Sequence, residues 1–141
     1  MKILIADNHF LIRKSLQMIV KDSWPYAYIE TVSNSRELAE KALHENWTII
    51  ISDVNMRDLP GFKALKKIKE AKAIPIIITS LNTNDLYKIQ SLQLGAAAYL
   101  DKSQIADKLE DTIRNILNGR IGGVNPINEI LTAMNMDQVT A

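Results

Sequence analysis

Three runs of this chain, Ile3-Leu4-Ile5-Ala6, Ile49-Ile50-Ile51 and Ile76-Ile77-Ile78, contain no polar residue at all. A strand with one wet face alternates apolar and polar side chains, so a strand that is apolar at every position must be covered on both faces. Helix-covered parallel sheets supply that environment. A further run, Ala96-Ala97-Ala98-Tyr99-Leu100, is apolar but less β-branched. The segment from Tyr26 to Val32 carries Glu30 and Thr31 among its apolar residues and reads as an edge strand.

The stretches between these runs have helical spacing. Ile12, Leu16 and Ile19 share one face of the first, and Leu38, Ala39, Ala42 and Leu43 share one face of the second. Asn34 followed by Glu37 has the spacing of a capping box at the second helix's start. Leu65 and Ile68 mark the third helix, Leu86, Ile89 and Leu94 the fourth, and Ile105, Leu109, Ile113 and Ile116 the fifth. Gly95 and Gly119 stand where helix C-caps are expected. Strand and helix therefore alternate five times, which predicts an α/β, flavodoxin-like (βα)5 doubly wound parallel sheet in one domain. The domain is expected over 1–119. Residues 120–141, with Gly122-Gly123, Pro126 and the apolar Ile127, Ile130, Leu131 and Met134, are expected to be a linker or C-terminal tail.

The chain's 141 residues suit one such domain. Its 17 basic and 16 acidic side chains leave a net charge of +1, with no global pull toward nucleic acid or an anionic membrane. The absence of cysteine excludes disulfides and thiolate metal sites and fits a cytoplasmic protein. No apolar run approaches the roughly 20 residues of a membrane span.

Ligands of open parallel sheets bind beyond the carboxyl ends of the strands, where strand order reverses. Those ends carry Asp7-Asn8, Asp53, Thr79-Ser80 and Asp101-Lys102. In a 2-1-3-4-5 sheet Asp7 and Asp53 flank the reversal, with Thr79 and Lys102 on the next two strands. Any one of these residues is ordinary at a strand end, and Asp53 alone reads equally as a helix cap. Together they suit phosphoryl transfer to a carboxylate. The transferred group needs a divalent cation, a fixed ammonium and a hydroxyl donor around its oxygens.

Read together, Ile3-Leu4-Ile5-Ala6-Asp7-Asn8-His9, Ile51-Ser52-Asp53-Val54-Asn55-Met56, Gly61, Ile78-Thr79-Ser80, Gly95-Ala96 and Tyr99-Leu100-Asp101-Lys102-Ser103 resemble the receiver domain of bacterial two-component response regulators, over about residues 2–119. His9-Phe10-Leu11-Ile12-Arg13, Ile113-Arg114 and Asn118-Gly119 look most like the subfamily with a LuxR-type helix-turn-helix output domain. The resemblance implies that Asp53 accepts a phosphoryl group from a sensor histidine kinase. It places Mg²⁺ among Asp7, Asn8, Asp53 and the backbone carbonyl of Asn55, puts Lys102 and Thr79 on the phosphoryl oxygens, and makes Thr79 and Tyr99 the switch. It also implies a homodimer, and either signalling through the face formed by the fourth helix, fifth strand and fifth helix or dimerisation through the first and fifth helices; these surfaces would include Tyr87, Tyr99 and the helix from Ile105 to Leu117. Contact with DNA would come only through an output domain not present in this chain. Such a domain is no enzyme in the ordinary sense, since it assists only its own phosphorylation and dephosphorylation.

Two positions depart from the family pattern. Asn8 stands where a second acid is usual, so Asp7, Asp53 and Lys102 leave the pocket at −1 instead of −2. Asp58 is a candidate to compensate from the following loop. Arg57 replaces a common proline, with Pro60 three residues later. His9 invites a metal reading, but no second histidine or cysteine accompanies it, and a structural place at the start of the first helix is preferred. His44 implies no chemistry, and Ser80 reads as a small residue that keeps the pocket open.

Other classes fit less well. A flavin module needs a Ser/Thr/Gly-rich loop after the first strand, and a P-loop enzyme needs Gly-x-x-x-x-Gly-Lys-Ser/Thr. A haloacid-dehalogenase-type phosphatase needs an aspartate where Asn55 stands. The surviving alternative is a pseudo-receiver, a protein-interaction module of the same fold that is never phosphorylated.

Overall fold

The computed structural model describes residues 1–56, 58, 61–81 and 85–119. The chain order is β1 (Lys2–Ala6), α1 (Phe10–Ser23), β2 (Tyr28–Val32), α2 (Ser35–His44), β3 (Ile49–Asp53), α3 (Gly61–Ala71), β4 (Ile76–Ser80), α4 (Asp85–Gln93), β5 (Ala98–Asp101), a single 3-10 turn (Lys102–Gln104) and α5 (Ile105–Leu117). All strand pairs are parallel, in the order β2-β1-β3-β4-β5. This is the flavodoxin-like sheet expected from the sequence.

The isoleucine runs explain the layering. Successive residues of a strand point to opposite faces, so each run serves two cores. Leu4, Ile50, Ile76 and Ile78 enter a core with Leu38, Ala42, Leu65, Ile68 and Leu92, from α2, α3 and α4. Ile3, Ile5, Ile49, Ile51 and Ile77 enter a second core with Leu16, Val20, Leu109 and Ile113, from α1 and α5. Ile3, Ile5, Ile49, Ile50, Ile51 and Ile77 are fully buried, each contributing roughly 2–3 kcal/mol through its removal from water. No described helix is long and apolar enough to cross a membrane.

Helix ends follow their expected signals. Asn34 is the N-cap of α2 and its side chain accepts the Glu37 N–H at 2.8 Å. After α4 the chain turns at Gly95, whose φ of 103° belongs to the left-handed region that favours glycine. A Cβ there would also meet the Lys69 side chain at 3.3 Å.

The departures are local. β2 starts at Tyr28, because Tyr26 is almost wholly exposed and the register of β1 begins with Lys2 opposite Tyr28. β5 starts at Ala98 and not Ala96, because the Ala96 N–H is spent on the Ser91 carbonyl in the turn that ends α4. The inward face of α4 is Ser91 and Leu92, whereas Leu86 is 57% exposed. Nine residues give too few turns for the assumed stripe to identify the buried face. The readings made at Arg57, Pro60 and 120–141 lie outside the described residues.

Candidate functional site

Asp7 directly follows β1, Asp53 ends β3, Thr79 lies in β4 and Lys102 directly follows β5. Parallel strands all deliver their carboxyl ends to one edge of the sheet, and β1, β3 and β4 are consecutive neighbours there. Side chains 95 positions apart along the chain therefore meet. The Lys102 ammonium lies 2.7 Å from Asp7 Oδ2 and 3.2 Å from Asp53 Oδ2. Both carboxylates and the ammonium are buried, with side-chain exposures of 0%, 5% and 4%. Thr79 is paired with Asp53 in the β3–β4 register and is fully buried.

Two acids share one base, so the cluster holds one uncompensated negative charge. Burial pushes the Asp53 carboxyl pKa above its ordinary value; the Asn55 N–H and the Lys102 ammonium oppose this, and the Asp7 charge adds to it. The Asn55 N–H donates to Asp53 Oδ1 at 3.1 Å. Asp7 is braced by three groups. The His9 N–H donates to its Oδ1 at 2.8 Å, the His9 ring Nδ1 lies 3.2 Å from the same oxygen, and Arg13 Nη1 donates to its backbone carbonyl at 2.7 Å.

Three buried oxygens here make no hydrogen bond: Asp7 Oδ2, Asn8 Oδ1 and Thr79 Oγ1. The Asp7 contact with Lys102 is thus an ion pair without hydrogen-bond alignment. A buried oxygen without a partner costs roughly 1–3 kcal/mol, so three beside a net negative charge mark a place prepared for a ligand. Hard oxygen donors with one excess charge suit a divalent cation, and the ammonium and hydroxyl suit an oxyanion next to it. The residues present fit both.

Three side chains with a reading from the sequence do something further, and a fourth, Arg13, had none. Asp58 is engaged at the N-terminus of α2, where its two oxygens accept the N–H groups of Ser35 and Arg36 at 2.8 and 2.9 Å. The free N–H groups and positive end of the helix favour a carboxylate there. His9 stands at the N-cap position of α1, as expected, and its backbone carbonyl accepts the Arg13 N–H. Its side chain makes no capping bond, and its ring, Asp7 and Asp53 each offer a ligand atom within 4.8 Å of the others. Ser80 is fully buried and is the hydrogen-bond partner of the half-buried Tyr99, whose phenol pKa is raised chiefly by burial. Arg13 had no sequence signal beyond its place about a turn into an amphipathic helix, six residues after Asp7.

The receiver-domain family of response regulators matches residues 3–114 of this chain. The chain belongs to that family. As a receiver it is 31% identical over 122 residues to the glycerol metabolism activator of Pseudomonas putida, covering 85% of this chain and 55% of that protein. It is 30% identical over 120 residues to the transcriptional regulatory protein YdfI of Bacillus subtilis, covering 85% and 56%. The chain thus spans about half the length of these curated relatives. A LuxR-family response regulator from Aurantimonas has the same fold with a TM-score of 0.79 at 18% identity, over 96% of this receiver and 97% of that chain. The receiver domain of Thermotoga maritima CheB gives 0.74 at 25% identity, over 84% and 96%.

Proposed function

We propose that this receiver is a cytoplasmic phosphoacceptor in two-component signalling, with 1–119 as its functional unit. A carboxylate oxygen of Asp53 attacks the phosphorus of a kinase phosphohistidine. The phosphorus–nitrogen bond breaks, the imidazole leaves with the electron pair, and an aspartyl phosphate forms. Mg²⁺, when bound, neutralises the phosphoryl oxygens; Asp7, Asp53, Asn8 and the Asn55 carbonyl are the residues that would hold it. Lys102 supplies the fixed positive charge and Thr79 the hydroxyl donor. The observation that carries this reading is one ammonium 2.7 and 3.2 Å from two buried carboxylates, surrounded by buried oxygens without partners.

The output is a changed surface and no released product. Once Thr79 Oγ1 donates to the phosphoryl group, the end of β4 shifts and Tyr99 exchanges its Ser80 contact for another packing. α4, whose buried residues are Ser91 and Leu92 and whose half-buried Tyr87 packs against the same core, follows that movement. A sensor kinase as donor, a second receiver as dimer partner and an output domain that contacts DNA complete the reading. The name of the Bacillus relative, a transcriptional regulatory protein, favours a transcriptional output.

Purified protein incubated with Mg²⁺ and acetyl phosphate is expected to gain one phosphoryl group in its intact mass, and chelation with EDTA to prevent the gain. A mass that never shifts, even at high Mg²⁺, leaves the pseudo-receiver standing. A second expectation concerns Asn8: restoring the carboxylate with Asn8→Asp tightens Mg²⁺ binding by about tenfold, since ligand charge tunes affinity at hard-cation sites. Calorimetry is the right measurement. Trp47 lies at the far end of the sheet, its ring 4.5 Å from the Lys2 ammonium, and Trp24 follows the last residue of α1. An unchanged affinity would show that the lost carboxylate is already replaced.

A further inference from the structure

The histidine beside the acids is a feature that phosphoryl transfer does not use. His9 is 60% exposed, its ring makes no capping bond to α1, and its Nδ1 stands 3.2 Å from Asp7 Oδ1. That contact is a hydrogen bond to an oxygen that also accepts the His9 backbone N–H. Two donors bound to one metal at roughly 2.1 Å lie about 3.0 Å apart at adjacent octahedral corners, so only a small shift separates the hydrogen-bonded pair from a shared ligand pair. Asp7, His9 and Asp53 bring their ligand atoms within 4.8 Å of one another, the only such triad of His, Cys, Asp and Glu among the described residues. Asp7 Oδ2 and Asn8 Oδ1 are buried in the same place without hydrogen bonds.

We propose that His9 is a metal ligand of this site, and that the site therefore prefers borderline first-row divalent ions of the Co²⁺, Ni²⁺ and Zn²⁺ class over Mg²⁺. The inference rests on the cation site proposed above and adds its selectivity. Mg²⁺ binds chiefly through charged oxygens and gains little from imidazole, whereas the later first-row ions gain strongly from a nitrogen donor. Asn8 lowers the oxygen charge on offer, which weakens the case for Mg²⁺ more than the case for an ion that takes His9. The imidazole thus stands in for the missing second acid from the next position along the chain. Its exposure is an advantage, because the ring can swing onto the ion without disturbing α1.

The test is calorimetric titration of tag-free, EDTA-stripped protein with MgCl₂ and, separately, CoCl₂, for wild type, His9→Ala and His44→Ala. Any carboxylate site favours Co²⁺ somewhat, so the effect of the variant decides. His9→Ala is expected to weaken Co²⁺ binding by about tenfold while changing Mg²⁺ binding by less than about twofold, and His44→Ala to change neither. Paramagnetically shifted imidazole proton signals in the Co²⁺ form are expected to vanish in His9→Ala alone. Equal weakening of both metals would overturn the assignment, since it would make His9 a positioning residue for Asp7. Unchanged Co²⁺ affinity in His9→Ala, or its loss in His44→Ala, would also overturn it. Wild-type protein that binds Mg²⁺ and shows no His9-dependent gain for Co²⁺ sinks only this inference. Protein that binds neither ion sinks the cation site itself.

Discussion

Asp53→Asn is expected to abolish phosphoryl uptake and, at the same time, to make the metal-free protein more stable. The first effect follows from removing the proposed nucleophile. The second follows from the cluster's excess charge. Asp53 is 4% exposed and its carboxyl pKa is raised by burial above the ordinary 3.8, so the folded state holds a proton there more tightly than the unfolded state does. Its favourable contribution is present below the ordinary value and is lost as pH rises through the folded-state value. At neutral pH the ionised side chain opposes folding. An uncharged amide of the same shape leaves Asp7 and Lys102 as a balanced pair, for a gain of roughly 1–2 kcal/mol. Urea unfolding reads it as a higher midpoint at unchanged slope. The gain should shrink as pH falls through the raised folded-state value of Asp53, where the wild-type side chain becomes protonated, and with saturating Mg²⁺, which stabilises only the wild-type site strongly. A variant that still gains a phosphoryl group would place the acceptor elsewhere. A variant that unfolds earlier than wild type would mean that the charged cluster is a net stabiliser.

Removing the shared cation is expected to do more damage. Lys102→Ala leaves two buried carboxylates with no ammonium between them, and breaking such a pair from one side costs about 3–5 kcal/mol. The loss should be largest at neutral pH without divalent ions. Acid, which discharges one carboxylate, and Mg²⁺, which replaces the charge, should both restore stability. The double variant Lys102→Ala/Asp53→Asn should recover much of the loss, because only Asp7 then remains unpaired; the two substitutions are in contact and should not add. A cost below about 1 kcal/mol would show that water reaches the pocket and screens it. With acetyl phosphate, Lys102→Ala should be phosphorylated far more slowly than wild type even where it is folded.

Particular residues show how far the sequence could be read. Ile49-Ile50-Ile51 and Ile76-Ile77-Ile78 could be assigned to strands covered on both faces because burial on two sides leaves no polar position in the run. Both cores use these residues in the alternating way a strand dictates. Long helices such as α5 disclosed their buried face through Ile105, Leu109 and Ile113, whereas α4, with its few turns, misled at Leu86. Asp58 was misjudged because its competitor for partners, the N-terminus of α2, lies 22 and 23 residues away at Arg36 and Ser35. His9 and Ser80 looked incidental because a hydrogen bond to a neighbouring strand end, or a ring nitrogen beside a carboxylate, leaves no periodic trace.

Local chemistry along the polymer thus settled the elements, their order and the residue types available at the strand ends. Those choices depend on neighbours within a turn or a strand, and such neighbours are adjacent in the chain. Folding alone decided which donors share a charge: that one ammonium serves two acids, that an imidazole nitrogen meets one of them, and that three oxygens are sealed from water without hydrogen bonds. Electrostatic coupling and desolvation act over a few ångströms of space and are blind to chain separation. Asp7 and Lys102, 95 positions apart, acquire their shared chemistry only when the sheet closes.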